Sequence, residues 1–253
     1  MSLPLTLNTV RTGSVGNCYV LKCGEHSLIL DCGVNYKEIL KAADYETIGI
    51  DAVLVTHVHG DHVSGVKYWL TMGVPVYSCR EVCEAYPGVE FLKSKFVRRR
   101  GAWAIIPFHV PHDATENYGY LIKCPNGEQV LYATDFAFIK DRFTTYKIEH
   151  FLLECNYMEY GDIHDDEKGE HVLHGHAPLS VVKDFLTTNL SENTKTVTIC
   201  HLSKENADRE KILAEIRGIM PKNVKVSIAE RGKIEILCEG EENDVRGEST
   251  GDI

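Results

Sequence analysis

The sequence lacks any apolar run long enough to cross a membrane, and its first residues carry neither the basic segment nor the apolar stretch of a signal peptide. We therefore expect a cytoplasmic protein without a membrane partner. The nine cysteines are odd in number and scattered, with no CxxC pair, which argues against a disulfide scaffold and a structural zinc ribbon. The sequence also has no short repeat and no linker-like segment in its body, so we expect one continuous unit.

What the chain does contain is the composition of a soluble globular protein. Its 253 residues are 43% hydrophobic and 25% charged, enough to build a full core. Half of the net charge of −10 lies in residues 239–253, which hold six acidic side chains and one arginine. Because this segment is polar and nearly free of large apolar groups, we expect a disordered acidic tail after a single domain of residues 1–238.

Basic residues are concentrated in one short segment. Five of the eight residues at positions 93–100 are lysine or arginine. A charge run of this kind is typical of a solvated face, and the alternative is a patch that contacts phosphate groups. The sequence leaves both interpretations open, and it gives no indication of the oligomeric state.

A dense group of histidines follows the β-branched and aliphatic run at residues 52–55, which predicts a buried strand. The group consists of His57, His59, Asp61 and His62. Imidazole and carboxylate groups are donors that zinc, manganese and iron accept. Four donors on one loop need partners from elsewhere in the chain to complete a site.

Three further donors follow predicted strands later in the chain, although each could instead be a loop, capping or core residue. They are His112, Asp135 and His201. Seven donors are too many for one tetrahedral ion and fit two ions that share a carboxylate and a water. Four other histidines, in an apolar strand or a polar loop, are not expected to be ligands: His109, His164, His171 and His174.

Hydrophobic periodicity predicts strands in runs, with helices after the donor-bearing strands. The predicted strands cover residues 5–9, 18–23, 27–31, 52–55, 74–78, 102–110, 118–123, 129–134, 151–155, 196–200, 224–228 and 233–237. The predicted helices cover residues 36–43, 63–72, 81–86, 179–190 and 205–219. This order predicts an α+β fold with two mixed sheets and helices outside them, a four-layer αββα sandwich.

The THVHGDH motif at residues 56–62, with the three later donors, resembles the ligand order of the metallo-β-lactamase-fold metallohydrolase superfamily over residues 5–237. The resemblance implies the metallo-β-lactamase fold and two divalent metal ions, for which we expect zinc, with manganese or iron as alternatives. The implied ligands form two groups and one bridge: His57, His59 and His112 for one ion, Asp61, His62 and His201 for the other, and Asp135 between them.

Further segments are similar to the YycJ/WalJ-type nucleases of this superfamily. They are residues 13–18, residues 200–206, and the pair formed by residues 154–156 and 175–180, in which Ala177 and Pro178 interrupt the match. A similarly placed histidine in tRNase Z relatives implies that His176 would protonate the leaving oxygen of a phosphodiester, and the alternative is a loop histidine before Pro178 with no task. Asn17 and Ser203 are predicted to donate hydrogen bonds to a phosphate, and the alternative is that they hold turns.

We therefore expect a dinuclear-metal-dependent hydrolase, similar to a DNA exonuclease, in which a metal-bridging hydroxide oriented by Asp61 and Asp135 attacks phosphorus. Nucleic acid, and DNA in particular, is the expected substrate. One alternative is a lactone or thioester hydrolase of the same fold. A second is an iron-dependent oxidoreductase, which His59 and His62 disfavour.

Overall fold

Two β-sheets form the centre of the molecule in a computed structural model that describes residues 3–43, 49–159 and 175–240. The first sheet contains β1 (Leu5–Arg11), β2 (Cys18–Cys23), β3 (His26–Leu30), β4 (Ile50–Leu54), β5 (Val76–Ser78), β6 (Glu90–Phe91) and β14 (Ile234–Cys238). The second contains β7 (Arg98–Arg100), β8 (Trp103–His112), β9 (Thr115–Lys123), β10 (Gln129–Ala133), β11 (His150–Glu154), β12 (Thr196–Cys200) and β13 (Lys225–Ile228). Their strand orders are β14-β1-β2-β3-β4-β5-β6 and β13-β12-β11-β10-β9-β8-β7.

Helices cover the outer faces of the two sheets. They are α1 (Tyr36–Ala42), α2 (Gly60–Val63), α3 (Val66–Thr71), α4 (Arg80–Ala85), α5 (Leu179–Asn189) and α6 (Arg209–Ile219), with a 3₁₀ turn at Thr144–Tyr146. Helix α1 packs on β1 and β2, α3 packs on β5, and α6 packs on β13 and α5. The α+β, four-layer αββα sandwich predicted from the sequence is thus confirmed. None of the described helices is both long and apolar enough to cross a bilayer.

Alternation along the strands creates the two apolar layers. In β9, Tyr118, Tyr120 and Ile122 belong to the core between the sheets, whereas Leu121 belongs to the layer under α5 and α6. Strand β10 repeats this division, with Tyr132 in the inner core. Because successive side chains of a strand point to opposite faces, a continuous apolar run is what a strand buried on both faces requires.

Strand direction brings the carboxyl ends of several strands to one side of the sandwich. Strands β3, β4 and β5 are parallel to one another, and so are β10, β11 and β12. Strand β8 has the direction of β10, because both are antiparallel to β9. The hydroxyl of Tyr120 donates to the carbonyl of Val55, at 2.5 Å, which ties the second sheet to the loop after β4.

Some predicted boundaries were wrong. The helix predicted at residues 63–72 is divided into α2 and α3, because the chain around Gly65 approaches the turn after β3 and the Gly65 amide donates to the carbonyl of Cys32 at 2.8 Å. The helix predicted from residue 205 begins at Arg209, after the Asp208 cap. Strands β6 and β7 were not predicted. His164, His171, His174 and the tail from residue 241 lie outside the described residues.

Candidate metal centre

The ends of strands from both sheets supply the donor residues. His57 and His59 follow β4, and Asp61 and His62 lie in the short helix α2. His112 is the last residue of β8. In the second sheet, Asp135 comes two residues after β10 and His201 comes directly after β12. The structure therefore brings all seven predicted donors to the same side of the sandwich.

Left-handed backbone conformations mark several of these strand ends. Asp31, Asp135 and His201 have φ values of 55°, 53° and 49°. This region is uncommon for a residue with a Cβ atom and costs of order 1 kcal/mol or more at each position. Neighbouring groups hold the conformation, since the backbone amide of His201 donates to the hydroxyl of Thr12 at 2.8 Å and the amide of Asp135 donates to the carboxylate of Glu154.

Three imidazole nitrogens converge in a first group of donors. His59 Nδ1 lies 3.0 Å from His57 Nε2 and 3.1 Å from His112 Nε2. The edges of a tetrahedral site with zinc–nitrogen bonds of 2.0–2.1 Å are about 3.3 Å long. His112 donates from Nδ1 to the carbonyl of Gly175 at 2.7 Å, which leaves the lone pair of its Nε2 facing the group.

Carboxylates and two further histidines form the second part of the cluster. His62 Nε2 lies 3.4 Å from Asp61 Oδ2 and 3.5 Å from Asp135 Oδ1. His201 Nδ1 lies 2.8 Å from Asp135 Oδ1. Donor atoms of His57, His62 and Asp135 all lie within 4.8 Å of one another, so the two parts are continuous. A buried donor cluster of this composition is suited to divalent metal ions.

Asp31 supports the cluster from outside and was missed by the sequence analysis as a functional residue. Its Oδ2 accepts a hydrogen bond from His62 Nδ1 at 2.9 Å, and its Oδ1 accepts the backbone amide of Thr56 at 2.8 Å. The hydroxyl of Tyr132 donates to the same carboxylate at 2.5 Å. A carboxylate behind a histidine fixes the ring orientation and leaves Nε2 as the acceptor. The predicted strand at residues 27–31, which ends in Asp31, was the sequence signal that could have identified this residue.

Glu154 was also missed as a site residue, although its motif was recognised. This fully buried carboxylate accepts from His176 Nδ1 at 2.9 Å through Oε1 and contacts His201 Nδ1 at 3.0 Å through Oε2. The ring of His176 lies 5.4 Å from the ring of His112 and 5.2 Å from that of His201. His176 therefore borders the donor cluster, and the last residue of β11 holds it there; its role in proton transfer stays a prediction.

The electrostatics of the cluster follow from its burial. Burial and the neighbouring His62 lower the pKa of His57 well below its ordinary value. Burial would also lower the pKa of His201, but the carboxylates of Asp135 and Glu154 outweigh it and raise this pKa to about 10. Asp135 and Asp31 likewise raise the pKa of His62 against the effect of burial. For Asp135 the signs are reversed: burial raises its pKa, but His201 and His62 outweigh this effect and lower it. Protons thus compensate the buried carboxylates, and a divalent cation can replace that positive charge.

The two predicted substrate contacts are engaged inside the protein. The buried Asn17 side-chain amide lies 3.0 Å from His62 Nε2 and 3.3 Å from Asp61 Oδ2, and it closes the turn at Gly13. Ser203 Oγ accepts backbone amides at 3.1 and 3.3 Å and caps the turn after His201. Contact of either residue with a phosphate stays a prediction.

Sequence comparison gives matches of different lengths. A family model described as Anti-Pycsar protein Apyc1 matches residues 8–80. Exodeoxyribonuclease WalJ of Streptococcus pneumoniae serotype 2 (strain D39 / NCTC 7466) is 26% identical over 229 residues, and the match covers 79% of this chain and 82% of the relative. Exodeoxyribonuclease YycJ of Bacillus anthracis is 25% identical over 238 residues, and the match covers 81% of this chain and 85% of the relative.

Solved structures agree with the fold. The metallo-beta-lactamase fold protein YhfI from Bacillus subtilis has a TM-score of 0.71 and 17% sequence identity, and the match covers 92% of this chain and 99% of that chain. A diphosphatase from the PhnP family has a TM-score of 0.64 and 18% identity, with 94% and 98% covered.

The fold, the donor cluster and the relatives define the class together: the chain has the metallo-β-lactamase fold, and it is a metal-dependent hydrolase. It resembles the YycJ/WalJ-type nucleases over about four fifths of its length.

Proposed function

We propose that this protein is a dinuclear-metal-dependent phosphodiesterase that acts on DNA in the manner of an exonuclease. The observation that carries the proposal is the division of the donor cluster into a three-histidine group and a carboxylate-rich group, joined at Asp135. A single tetrahedral ion would use only four of these donors. The proposal takes residues 1–238 as one catalytic domain.

The ligand assignment follows the two groups. His57, His59 and His112 would hold one ion, and Asp61, His62 and His201 would hold the other, with Asp135 between them. When bound, two divalent ions lower the pKa of a water between them and stabilise negative charge on phosphate oxygens. The donor distances and the fixed ring orientations support this assignment.

Residues of the chain would perform the proton transfers. Asp61, whose side chain is 25% exposed, would accept a hydrogen bond from the attacking water and orient it. His176 would donate a proton to the leaving oxygen. Glu154 holds Nδ1 of His176 at 2.9 Å, and this contact favours the protonated ring that such a donor needs.

DNA as the substrate is supported by two relatives that are named exodeoxyribonucleases. Each of them matches about four fifths of the chain. A cytoplasmic location belongs to the same proposal. The lactone or thioester hydrolase and the iron-dependent oxidoreductase use similar donors, so they are outcomes of the experiment that follows.

A substrate panel tests the proposal. Protein stripped of metal and reloaded separately with zinc, manganese or iron is incubated with 5′-labelled duplex DNA, single-stranded RNA, bis-(p-nitrophenyl) phosphate, a lactone and a β-lactam. We expect cleavage of DNA and of the small phosphodiester with at least one metal. Turnover of the lactone without any phosphodiester cleavage would reverse the assignment.

The matched variants are His57→Ala and His109→Ala. His57 is fully buried in the three-histidine group, and we expect its loss to lower phosphodiester cleavage by about 100-fold or more and to reduce the bound metal measured by mass spectrometry. His109 is an exposed histidine on β8, three residues before His112, with Glu116 3.9 Å away. We expect His109→Ala to retain both activity and metal.

A further inference from the structure

A short crossover connects the open edges of the two sheets. It runs from β6, at the edge of the first sheet, to β7, at the edge of the second. Three of its apolar side chains are exposed: Phe91 at 42%, Phe96 at 58% and Val97 at 56%. Large apolar side chains grouped on one exposed segment mark a site of interaction more often than isolated ones do.

Cations accompany the exposed rings. The guanidinium of Arg80 lies 4.7 Å from the centroid of Phe91, and the ammonium of Lys93 lies 4.0 Å from the centroid of Phe96. Arg99 is exposed on β7, and no ion pair involves it among the described residues. We call Arg80, Phe91, Lys93, Phe96 and Arg99 the crossover surface. Positive charge and open aromatic rings are therefore available at the same place.

The other basic residues of the segment serve the fold. Arg98 pairs with Glu90 and lies over Tyr77, Lys95 pairs with Asp141 at 2.6 Å, and Arg100 donates to the carbonyl of Asp51 at 2.9 Å. Only part of the basic run at residues 93–100 is thus open to a ligand. The two interpretations of the run, a solvated face and a patch that contacts phosphate groups, therefore apply to different residues within it.

The crossover surface begins beside the candidate metal centre and leads away from it. The amide of Arg80 donates to the Glu116 carboxylate at 2.9 Å, and Glu116 pairs across the hairpin with Pro111, the neighbour of His112. Arg99 pairs with Ala104 at the other end of β8. The eight residue steps along β8 from Ala104 to His112 span about 27 Å, which is room for several nucleotides.

We propose that the crossover surface binds a single strand of nucleic acid next to the metal centre, with bases stacked on Phe91 and Phe96 and phosphates beside Arg80, Lys93 and Arg99. The proposal rests on the phosphodiesterase function proposed above and names where the strand lies. Unpaired bases offer π-faces to aromatic rings, whereas bases within a duplex do not. The overall charge of −10 disfavours nucleic acid in general, so a strand would need local positive charge of the kind that the crossover surface offers.

Two measurements on the full-length protein test the surface. The first is the fluorescence anisotropy of 5′-fluorescein-labelled dT12 in the presence of a chelator, which prevents cleavage. The second is steady-state cleavage of dT12 and of bis-(p-nitrophenyl) phosphate by the metal-loaded protein. For Phe91→Ala combined with Phe96→Ala, we expect dT12 to bind at least about 30-fold more weakly and its KM to rise by a similar factor, with unchanged cleavage of the small substrate.

Charge variants supply a second readout. For Lys93→Gln combined with Arg99→Gln, we expect the association constant for dT12 to depend less steeply on salt. The negative slope of its logarithm against log salt concentration should become smaller in magnitude by about 0.7 for each phosphate that is no longer neutralised by a cationic side chain. The matched control combines Lys225→Gln on β13 with Ile236→Ala on β14, which are exposed residues at the opposite edges of the two sheets. We expect this control to bind dT12 like the unaltered protein.

The outcomes separate this proposal from the function on which it rests. Unchanged dT12 affinity in the aromatic variant overturns the crossover surface even when DNA is cleaved. Weakened affinity supports it even when the metal-loaded protein cleaves no DNA, a result that would overturn only the phosphodiesterase. If the aromatic variant converts a dimer into a monomer in sedimentation without altering dT12 affinity, the surface joins two copies of the chain and the proposal is wrong.

Discussion

Individual hydrogen bonds decide which nitrogen of each histidine faces the candidate metal centre. His62, His112 and His176 each have Nδ1 bound, by Asp31, by the carbonyl of Gly175 and by Glu154 respectively. In a neutral imidazole only one nitrogen carries the proton, so a bound Nδ1–H leaves Nε2 as the acceptor. Buried partners of this kind orient metal ligands, and their loss typically costs about 10- to 100-fold in metal affinity or activity.

The first prediction at this scale concerns His176. Burial lowers its pKa, but the charge and hydrogen bond of Glu154 outweigh that effect and raise the pKa above the ordinary value. A proton donor is active while protonated, so the raised pKa extends activity toward higher pH, and the rate falls as pH rises through it. We expect His176→Ala to lower kcat by about 10²–10⁴-fold and to remove that fall, with metal content unchanged.

Measurement of kcat against pH, together with metal analysis, checks this role. Full activity of His176→Ala would remove the assigned proton transfer. Loss of metal in the same variant would instead make His176 part of the metal centre, since Asp135, Glu154, His176 and His201 have donor atoms within 4.8 Å of one another.

Between elements, a very close approach lies at the turn after β3. A Cβ atom at Gly33 would lie 1.5 Å from the carbonyl oxygen of Asp61. Three hydrogen bonds fix the turn and α2 in this position: Asn17 to the Asp61 carbonyl at 2.8 Å, Gly33 to the Asn17 carbonyl at 3.0 Å, and Cys32 to the His62 carbonyl at 2.9 Å. The glycine therefore lets two segments meet beneath the donor residues.

A substitution pair tests this contact. We expect Gly33→Ala to force the turn and α2 apart, to lower the free energy of unfolding by about 3 kcal/mol or more, and to reduce metal binding. Gly60→Ala is the matched control, because a Cβ atom at Gly60 meets no atom within 4 Å, and its effect should stay within about 0.5 kcal/mol. Urea unfolding and metal analysis report both quantities. Equal stability of the two variants would contradict the expected clash.

Element types were predicted better than element ends. Runs such as residues 151–155 have the β-branched and apolar character of a buried strand, and β11 is found there. Strands β6 and β7 escaped prediction because they are edge strands of two and three residues, mostly charged and exposed, whose only strand signal is the pairing partner. The division between α2 and α3 depends on the contact of Gly65 with Cys32, which periodicity does not contain.

At the scale of the whole molecule, the candidate metal ligands come from both sheets. His57, His59 and His62 follow a strand of the first sheet, whereas His112 ends a strand of the second and Asp135 and His201 follow strands of it. A metal ion held by both sets would join the layers at their carboxyl ends. Binding to the folded state alone raises the free energy of unfolding, by about 2.7 kcal/mol at a hundredfold excess over Kd.

Chelation should therefore destabilise the protein as a whole. We expect a chelator to lower the unfolding temperature of metal-loaded protein by about 5–10 °C for each ion removed, in line with the size of the chain. Scanning calorimetry with and without the chelator measures the change. The His57→Ala variant, expected to bind less metal, should show a smaller shift. An identical unfolding temperature with and without metal would mean that the ions do not connect the two sheets.

The sequence by itself determined the identity and order of the seven donors and the alternation that builds two buried sheets, because ligand chemistry and strand period are properties of the residues themselves. Only the tertiary structure decided which carboxylates stand behind the histidines. Asp31 meets Tyr132, 101 positions away, and Glu154 meets His201, 47 positions away. Such contacts arise from packing between sheets, and no local pattern encodes them. Packing likewise decided which cations of the basic run stay open, since their partners come from distant strands and loops.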